Sequence, residues 1–458
     1  MFNWFVAPDF KGLRHTLYLV FALLLLAVAP AADAQSAPNH DGDREWTVLI
    51  FMNGKNNLEP FAIQNFEQLA KIGSTNKVSF VVQLGRPLIR GDEQAGLKNI
   101  YDGWSGARRY LVTRHQTPAT GQEVEIVGGG EVDMGAPETL LQFLKWGKER
   151  YPAKRYAVVI WNHGQGYRLM ATKLSTQIMT KGNFADQKQR QDKPSHRAIS
   201  QDSDTGSIIY NVDLHESLVS VFAGELRLVG FDACLMAMLE TVYELKDVSP
   251  LVVGSEELEP GPGWNYTRWA TAITTSPTSN ESALAAMIVG SYRDEYDDSD
   301  DTTLSTVRTD KVTAAATELS KLSALILADR QALFPLVKSA RSKRSAYNTP
   351  TNPVSIDLIG FLSALESELE THNPSSPALA QTRITLAAAR ATIVEAYSST
   401  RRAEPFGSYG LAIYFPASKR EFKRDSFSDG YLRGNPHKPI AFVDKEKWSE
   451  FLAAYLGI

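Results

Sequence analysis

The chain has 458 residues, of which 43% are hydrophobic and 22% are charged, and its formal net charge at pH 7 is −4. This is the composition of a soluble globular protein with enough apolar material for about two to four domain equivalents. A weakly negative chain has no general attraction for nucleic acid or for an anionic membrane surface, so these two classes of partner are not expected.

The N-terminal segment predicts export. A basic stretch that ends at His15 precedes thirteen apolar residues, 17–29, and a cleavage site between small residues follows at Ala32-Asp33-Ala34. This order is typical of a secretory signal peptide, here residues 1–34, which a disordered leader follows at 35–44. The apolar run is shorter than the roughly 20 residues of a membrane span, although an uncleaved anchor is the alternative. The mature protein would be periplasmic or secreted, with no stable membrane span.

Predicted strands and helices alternate between residues 45 and 275. Apolar runs separated by amphipathic helices predict strands, and two alternating segments predict a hairpin. The strands are expected at 46–52, 78–84, 157–161, 226–229 and 250–255, and the hairpin at 104–112 and 123–127. Continuous apolar runs indicate strands that are covered on both faces, which favours a parallel sheet flanked by helices. We therefore predict an α/β fold with one domain at 45–275.

Two segments depart from this pattern. Residues 168–200 are rich in Gln, Lys, Arg, Ser, Thr and Asp, and a loop of that length is normally functional or disordered. After residue 275, Ala- and Leu-rich sequence predicts helices, with one late strand at 410–416. The helices are expected at 284–292, 312–333, 358–369, 378–397 and 448–456. The prediction is thus a basic insertion loop within the first domain and a helix-rich C-terminal region at 276–458.

Two predicted strands end in side chains that can carry out catalysis. Asn162-His163-Gly164 follows one of them, and Asp232-Ala233-Cys234, with the only cysteine of the chain, follows another. Active sites of open parallel sheets lie at the carboxyl ends of the strands. A thiol and an imidazole at that edge predict a nucleophile and its base, with the Gly164 and Cys234 backbone N–H groups as donors to the oxyanion. The alternative is that Cys234 is a buried, inert small hydrophobe.

These two blocks resemble those of the clostripain-like cysteine peptidases, which are relatives of caspases, gingipains and legumains. The histidine block matches Asn162-His163-Gly164 with Gly166, and the cysteine block matches 231–237 followed by Glu240. The resemblance covers about 46–270 well and the C-terminal third thinly. It implies a caspase-like α/β/α sandwich with a mostly parallel central sheet, and a catalytic dyad of His163 and Cys234 without an obligatory third member.

The resemblance also implies a substrate class and a mode of activation. Enzymes of this kind cleave after Arg or Lys, and the acidic residue of their specificity pocket matches Asp232. A partly buried carboxylate suits this role because it pairs with a guanidinium or ammonium group and disfavours uncharged side chains. A turn or helix-cap role is the alternative. Such enzymes are often zymogens that cut themselves between the two catalytic strands, which here points to loop 168–200, unless that loop is a solvated insertion.

The expected chemistry requires no cofactor, and the sequence shows no ligand spacing typical of zinc sites. Calcium could bind at Asp202-Ser203-Asp204-Thr205-Gly206 or at the acidic run 294–301, although neither has the pattern of an EF-hand. We therefore predict an exported cysteine endopeptidase that acts on proteins or peptides with Arg or Lys at the cleavage site. The alternatives are a transpeptidase with the same dyad and a non-catalytic binding module on a caspase-like fold.

Overall fold

The computed structural model describes residues 43–88, 100–128, 132–164, 199–296, 301–344, 346–347, 354–400, 407–425, 428–431 and 440–458. The predicted signal peptide lies outside these residues, as do the predicted leader except for 43–44 and loop 168–200 except for 199–200. The described residues form one compact unit. Among the helices of the described residues, none is both long enough and apolar enough to cross a membrane.

The described residues form a nine-stranded central sheet and two small two-stranded sheets. In chain order the strands are β1 (Trp46–Asn53), β2 (Val78–Arg86), β3 (Gly106–Leu111), β4 (Glu125–Val127), β5 (Arg155–Trp161), β6 (Ser200–Gln201), β7 (Ile208–Ile209), β8 (Leu226–Asp232), β9 (Leu251–Gly254), β10 (Thr303–Arg308), β11 (Ser355–Asp357), β12 (Ile393–Ser398) and β13 (Ala412–Tyr414). The order in the central sheet is β12-β10-β9-β8-β5-β1-β2-β3-β4.

Helices connect these strands and fill most of the C-terminal region. In chain order the α-helices of the described residues are α1 (Glu59–Ile72), α2 (Pro137–Arg150), α3 (Asn211–Phe222), α4 (Leu239–Glu244), α5 (Tyr266–Thr275), α6 (Glu281–Glu295), α7 (Thr309–Ala328), α8 (Arg330–Ser342), α9 (Leu358–His372), α10 (Pro377–Arg390), α11 (Lys419–Arg424), α12 (Ala441–Lys445) and α13 (Trp448–Leu456). Helix α2 shows why such segments are helical: Pro137 at its first position suits a helix start, and Arg150 in its last turn interacts favourably with the helix dipole.

The helices cover both faces of the central sheet. Because successive side chains of a strand point to opposite faces, Leu49 and Phe51 of β1 belong to one apolar cluster, whereas Val48 and Ile50 belong to another. The first cluster also contains side chains of α2, α3, α7 and α9, and the second contains side chains of α1, α5 and α6. Full burial of a side chain such as Phe51 stabilises the fold by about 1.5 to 3 kcal/mol. The expected α/β/α sandwich is confirmed.

The arrangement of the central strands decides where the site lies. Strands β2, β1, β5, β8 and β9 run parallel, and antiparallel strands extend the sheet at both edges. The predicted hairpin is present as β3 and β4. Strands β5 and β8 are neighbours, with Trp161 opposite Asp232. The segments that follow these two strands, one with His163 and the other with Cys234, therefore leave the same edge of the sheet side by side.

The C-terminal region contributes two strands to the central sheet that the sequence did not predict. The helix predicted at 378–397 is wrong in its last part, because α10 ends at Arg390 and Ile393–Ser398 forms β12 instead. Strand β12 pairs with β10, which was also missed, and β10 pairs with β9. Ile393, Val394 and Tyr397 suit a strand once a partner edge is present, but that partner is distant in sequence. The late strand is present as β13, paired with β11.

Candidate active site

His163 and Cys234 line one cleft at the carboxyl edge of the sheet. Each follows its strand by two positions or fewer, and both side chains are half-buried. The cleft is bordered by four segments, which contain residues 57–58, 161–163, 232–234 and 258–263. The structure thus brings together the two residues that the sequence predicted as a dyad, and it places Asp232 in the wall of the same cleft.

Buried amide groups hold the histidine segment in place. The Asn162 side chain donates to the Asn53 carbonyl oxygen at 2.5 Å and accepts the N–H of Gln201 at 3.1 Å. The Asn162 backbone N–H donates to the Asp232 carbonyl oxygen at 3.3 Å, which joins the two catalytic segments directly. Because each of these buried groups is paired, the segment that carries His163 has a defined conformation.

Gly164 lies against the backbone of the cysteine segment. A Cβ added to Gly164 would be 2.6 Å from Ala233 Cβ and closer still to the carbonyl oxygen of Cys234. Real Cβ atoms do not approach that closely, so the absence of a side chain lets the two segments pack together. Gly164 is buried, and its role as a donor to the oxyanion stays a prediction.

The imidazole of His163 is neutral at physiological pH. Burial lowers the pKa of His163 to about 4, because removal from water disfavours the charged ring. Its Nε2 atom is 2.8 Å from Asn57 Oδ1, an uncharged partner. A neutral imidazole has a free lone pair and can accept a proton, as a general base must.

The thiol of Cys234 is also neutral. Burial, together with the negative charge of Glu259, raises the pKa of Cys234 to about 12. The Glu259 backbone N–H donates to Cys234 Sγ at 3.2 Å, which favours the thiolate but does not overcome these two effects. The site therefore holds a neutral thiol and a neutral imidazole instead of an ion pair.

The residue after the cysteine has an unusual backbone conformation. Leu235 has φ +62°, in the left-handed region, and its side chain is buried. The Leu235 N–H donates to the Glu257 carbonyl oxygen at 3.1 Å, which holds the turn against the loop that follows β9. A left-handed non-glycine residue costs about 1 to 3 kcal/mol and is typical of functional sites. This turn directs the chain away from the sheet immediately after Cys234.

Comparison of two variants tests the conformation of Leu235. Both Leu235→Ala and Leu235→Gly remove the same buried side chain, but only glycine adopts φ +62° without strain. We expect the glycine variant to be more stable than the alanine variant by about 1 kcal/mol. At Leu365, inside helix α9, the order should be reversed, since glycine is worse than alanine there by about 1 kcal/mol. Chemical denaturation measures all four values; a more stable Leu235→Ala variant would contradict the left-handed assignment.

Asp232 is held in the wall of the cleft and does not cap the helix that follows it, which begins at Leu239. Its Oδ2 accepts the Tyr266 hydroxyl at 2.8 Å and the Trp264 N–H at 3.3 Å. Burial raises the pKa of Asp232 to about 6. Gly263, with φ +63°, passes so close that an added Cβ would lie 2.8 Å from Asp232 Oδ2. The carboxyl group is therefore fixed from one side and left without a cationic partner among these contacts.

Glu259 is a second buried carboxyl group in the cleft, and the sequence analysis missed it. Burial and the neighbouring Asp232 carboxylate both raise the pKa of Glu259 well above its usual value. Glu256 and Glu257 precede it in the same loop, but Glu256 accepts the Gly410 N–H at 2.8 Å and Glu257 accepts the Leu258 N–H at 2.9 Å. Its position in the sequence could have indicated a place in the cleft. Glu259 follows β9, which is the neighbour of β8, at the same edge of the sheet.

The calcium predictions gain no support. Lys55 Nζ is 3.1 Å from Asp202 and 3.3 Å from Asp204, so an ammonium group occupies the place where those carboxylates would hold a cation. The acidic run 294–301 lies partly outside the described residues. In the parts of the chain that the structure describes, no group of three or more His, Cys, Asp or Glu side chains could hold a metal ion. Calcium binding at these segments stays a prediction.

Comparisons with known proteins agree with this architecture. Residues 50–454 match the model of the clostripain family. Clostripain of Hathewaya histolytica is 23% identical over 273 residues, which are 54% of this chain and 46% of clostripain, so the chain matches about half the length of that relative.

Two solved structures are similar in fold. One is a secreted C11 cysteine protease from Bacteroides thetaiotaomicron in complex with an irreversible peptide inhibitor, with TM-score 0.55 and 18% identity over 90% of this chain and 99% of that one. Another is an inactive zymogen of a C11 protease from Parabacteroides distasonis, with TM-score 0.50 and 17% identity over 82% and 92% of the two chains. The family model covers most of the sequence, and the fold agrees with it. The chain therefore belongs to the clostripain family of peptidases.

Proposed function

We propose that this protein is an exported cysteine endopeptidase that hydrolyses peptide bonds after Arg or Lys. The observation that carries the proposal is the meeting of His163 and Cys234 in one cleft, at the ends of adjacent parallel strands and beside the buried carboxyl group of Asp232. Membership of the clostripain family supports peptidase chemistry. The N-terminal sequence supports export.

The proposed reaction proceeds through an acyl-enzyme. His163 accepts the thiol proton while Cys234 Sγ attacks the carbonyl carbon of the scissile bond. The tetrahedral intermediate collapses to a thioester as the imidazolium returns the proton to the leaving amine. Water then attacks the thioester with His163 again acting as base, and the acid product leaves with the thiol restored. Backbone N–H groups of Cys234 and Gly164 are the proposed donors to the oxyanion.

The two buried carboxyl groups suit a cationic substrate side chain. Asp232 and Glu259 have raised pKa values because both are buried, and Glu259 also because Asp232 is beside it. Mutual repulsion favours retention of a proton by the pair. A guanidinium or ammonium group would replace that proton and pair with the carboxylates, whereas an uncharged side chain would leave them desolvated and without a partner. This accounts for a preference for Arg or Lys.

Activation by self-cleavage is part of the proposal. Loop 168–200 lies between the two catalytic strands in sequence and carries seven Lys and Arg residues that match the proposed specificity, among them Lys181, Lys188, Arg190, Lys193 and Arg197. Ile199, at its end, donates to the Ile209 carbonyl oxygen at 2.9 Å, so the chain after the loop is anchored to the domain. The reaction uses only side chains and backbone groups of the protein, and no cofactor is assigned to it.

Hydrolysis of matched fluorogenic peptides tests this function. Wild-type protein should cleave peptides that end in Arg or Lys and leave a Leu peptide intact, while Cys234→Ala should be inactive and His163→Ala slower by about 10²- to 10⁴-fold. Intact masses taken over time report self-cleavage, and added amines report the transpeptidase alternative through ligated products. Full activity of Cys234→Ala would overturn the mechanism. Inactivity of a folded wild type on all peptides, without self-cleavage, would favour the binding module.

The pH dependence should differ between the two kinetic parameters. Below about pH 6 the kcat/KM for an arginyl substrate should fall, because protonation of Asp232, with pKa about 6, removes the partner of the cation. The kcat should hold to lower pH, because the bound cation favours the carboxylate and His163 stays unprotonated down to about pH 4. Profiles from about pH 3.5 to 8 measure both limbs. Coincident acid limbs at the ordinary histidine value of 6.5 would contradict these two shifts.

A further inference from the structure

The ring of His163 contacts a polar side chain that is not part of the proposed dyad. His163 Nε2 lies 2.8 Å from Asn57 Oδ1. A side-chain amide oxygen can only accept a hydrogen bond, so Nε2 must carry the proton of the neutral ring. The other nitrogen, Nδ1, then has the free lone pair that a general base needs. This contact therefore selects the tautomer of His163 as well as the orientation of its ring.

The loop that carries Asn57 is held firmly on both sides. On one side, Lys55 Nζ pairs with Asp202 at 3.1 Å and donates to the Val132 carbonyl oxygen at 2.6 Å. On the other side, Glu59 pairs with Arg86 at 2.6 Å. The side chains of Lys55, Glu59, Arg86 and Asp202 are almost completely buried. Paired buried charges that are satisfied in this way are costly to disrupt.

Asn56 adds a second restraint beside Asn57. Its side-chain oxygen accepts the Leu58 N–H at 2.8 Å, and its side-chain nitrogen donates to the Gln201 carbonyl oxygen at 3.1 Å. The Asn57 side chain itself is exposed and lines the cleft. A rigid loop thus presents an exposed amide to the histidine, an arrangement that suits orientation of a catalytic group better than stabilisation of the fold.

We propose that Asn57 is a positioning residue for the reaction, which turns the His163–Cys234 dyad into a three-residue arrangement. This inference rests on the proposed function, in which His163 is the general base. Asn57 accepts a hydrogen bond from Nε2–H throughout, and Nδ1 accepts and returns the thiol proton. An uncharged partner keeps the imidazole a weak base. It also continues to accept the same hydrogen bond once the ring is protonated.

Kinetics of Asn57 variants test the proposal. Asn57→Ala should lower kcat by about 10- to 100-fold, part of the 10²- to 10⁴-fold that a positioned general base contributes, and should leave KM within about threefold. Asn57→Asp places a negative charge beside the ring and should raise the pKa of His163 by about 1 to 3. The acid limb of kcat should then move to higher pH. Asn76→Ala and Asn76→Asp, in an exposed turn, are the matched controls and should change neither parameter.

A second measurement does not depend on activity. Nitrogen-15 spectra of the histidine rings report the tautomer and the pKa of His163 in folded protein, with Cys234, Asp232 and Glu259 unchanged. The wild type should show the Nε2–H form, Asn57→Ala a mixture of both tautomers, and Asn57→Asp a raised pKa. A single unchanged tautomer in Asn57→Ala, or kcat within threefold of wild type, would overturn the role of Asn57. If the wild-type protein were inactive on all peptides but the three proteins still showed these tautomers, only the proposed function would be overturned.

Discussion

Gly164→Ala should lower kcat/KM on an arginyl substrate by about 100-fold or more, since even a displacement of catalytic groups by about 1 Å has an effect of that size. The added methyl group would lie 2.6 Å from Ala233 Cβ and would meet the backbone of Cys234. Backbone cannot rotate away as a flexible side chain can, so the segments that carry His163 and Cys234 must separate. Overpacking of this kind also costs about 1 to 3 kcal/mol of stability.

Gly290→Ala provides the matched control for this substitution. Gly290 lies in helix α6, where the nearest contact of an added Cβ is Arg293 Nη2 at 3.5 Å. Alanine should therefore be tolerated there and should stabilise the protein by about 0.5 to 1 kcal/mol, with activity unchanged. Thermal unfolding and peptide hydrolysis on both variants measure the contrast. If Gly164→Ala kept wild-type kcat/KM, close packing of the two catalytic segments would not matter for the reaction.

Asp232→Asn should remove most of the preference for a cationic side chain while leaving the shape of the pocket intact. Loss of a buried charge partner costs about 2 to 5 kcal/mol, which corresponds to about 30- to 4,000-fold in kcat/KM for an arginyl substrate. The amide oxygen introduced by the substitution would still accept the Tyr266 hydroxyl, which in the wild type lies 2.8 Å from the Asp232 carboxylate. The structural role of this residue is therefore largely preserved.

A substrate pair makes this test specific. Citrulline has the shape of arginine without its charge, so kcat/KM for a citrulline peptide should change little in Asp232→Asn. Equal losses on both peptides would show damage to the dyad and would contradict the pocket assignment.

The sequence was sufficient for the fold class, the family and the two central catalytic candidates. Continuous apolar runs of this length favour strands that are covered on both faces, and reactive residues directly after such strands lie at one edge of a parallel sheet. That is why sequence pattern alone pairs His163 with Cys234 across 71 positions. Short stretches of sequence are enough for these conclusions, because the pattern of apolar residues in a strand and the position where the strand ends can both be read from a few neighbouring residues.

Other features depend on contacts between segments that are remote in the chain. Residues 393–398 form a strand because β10 offers an edge for pairing, which their own composition does not reveal. Asn57 and Glu259 line the cleft because the loops after β1 and β9 fold against it, and the sequence does not show this.

The charge states of the site also required the tertiary structure. The neutral thiol of Cys234 and the neutral imidazole of His163 follow from burial, which no short segment determines. Short-range sequence pattern therefore specified which residues reach the edge of the sheet, whereas packing specified their neighbours, their protonation and their orientation. The physical reason is that desolvation and hydrogen bonding depend on every segment that surrounds a group, however distant in sequence.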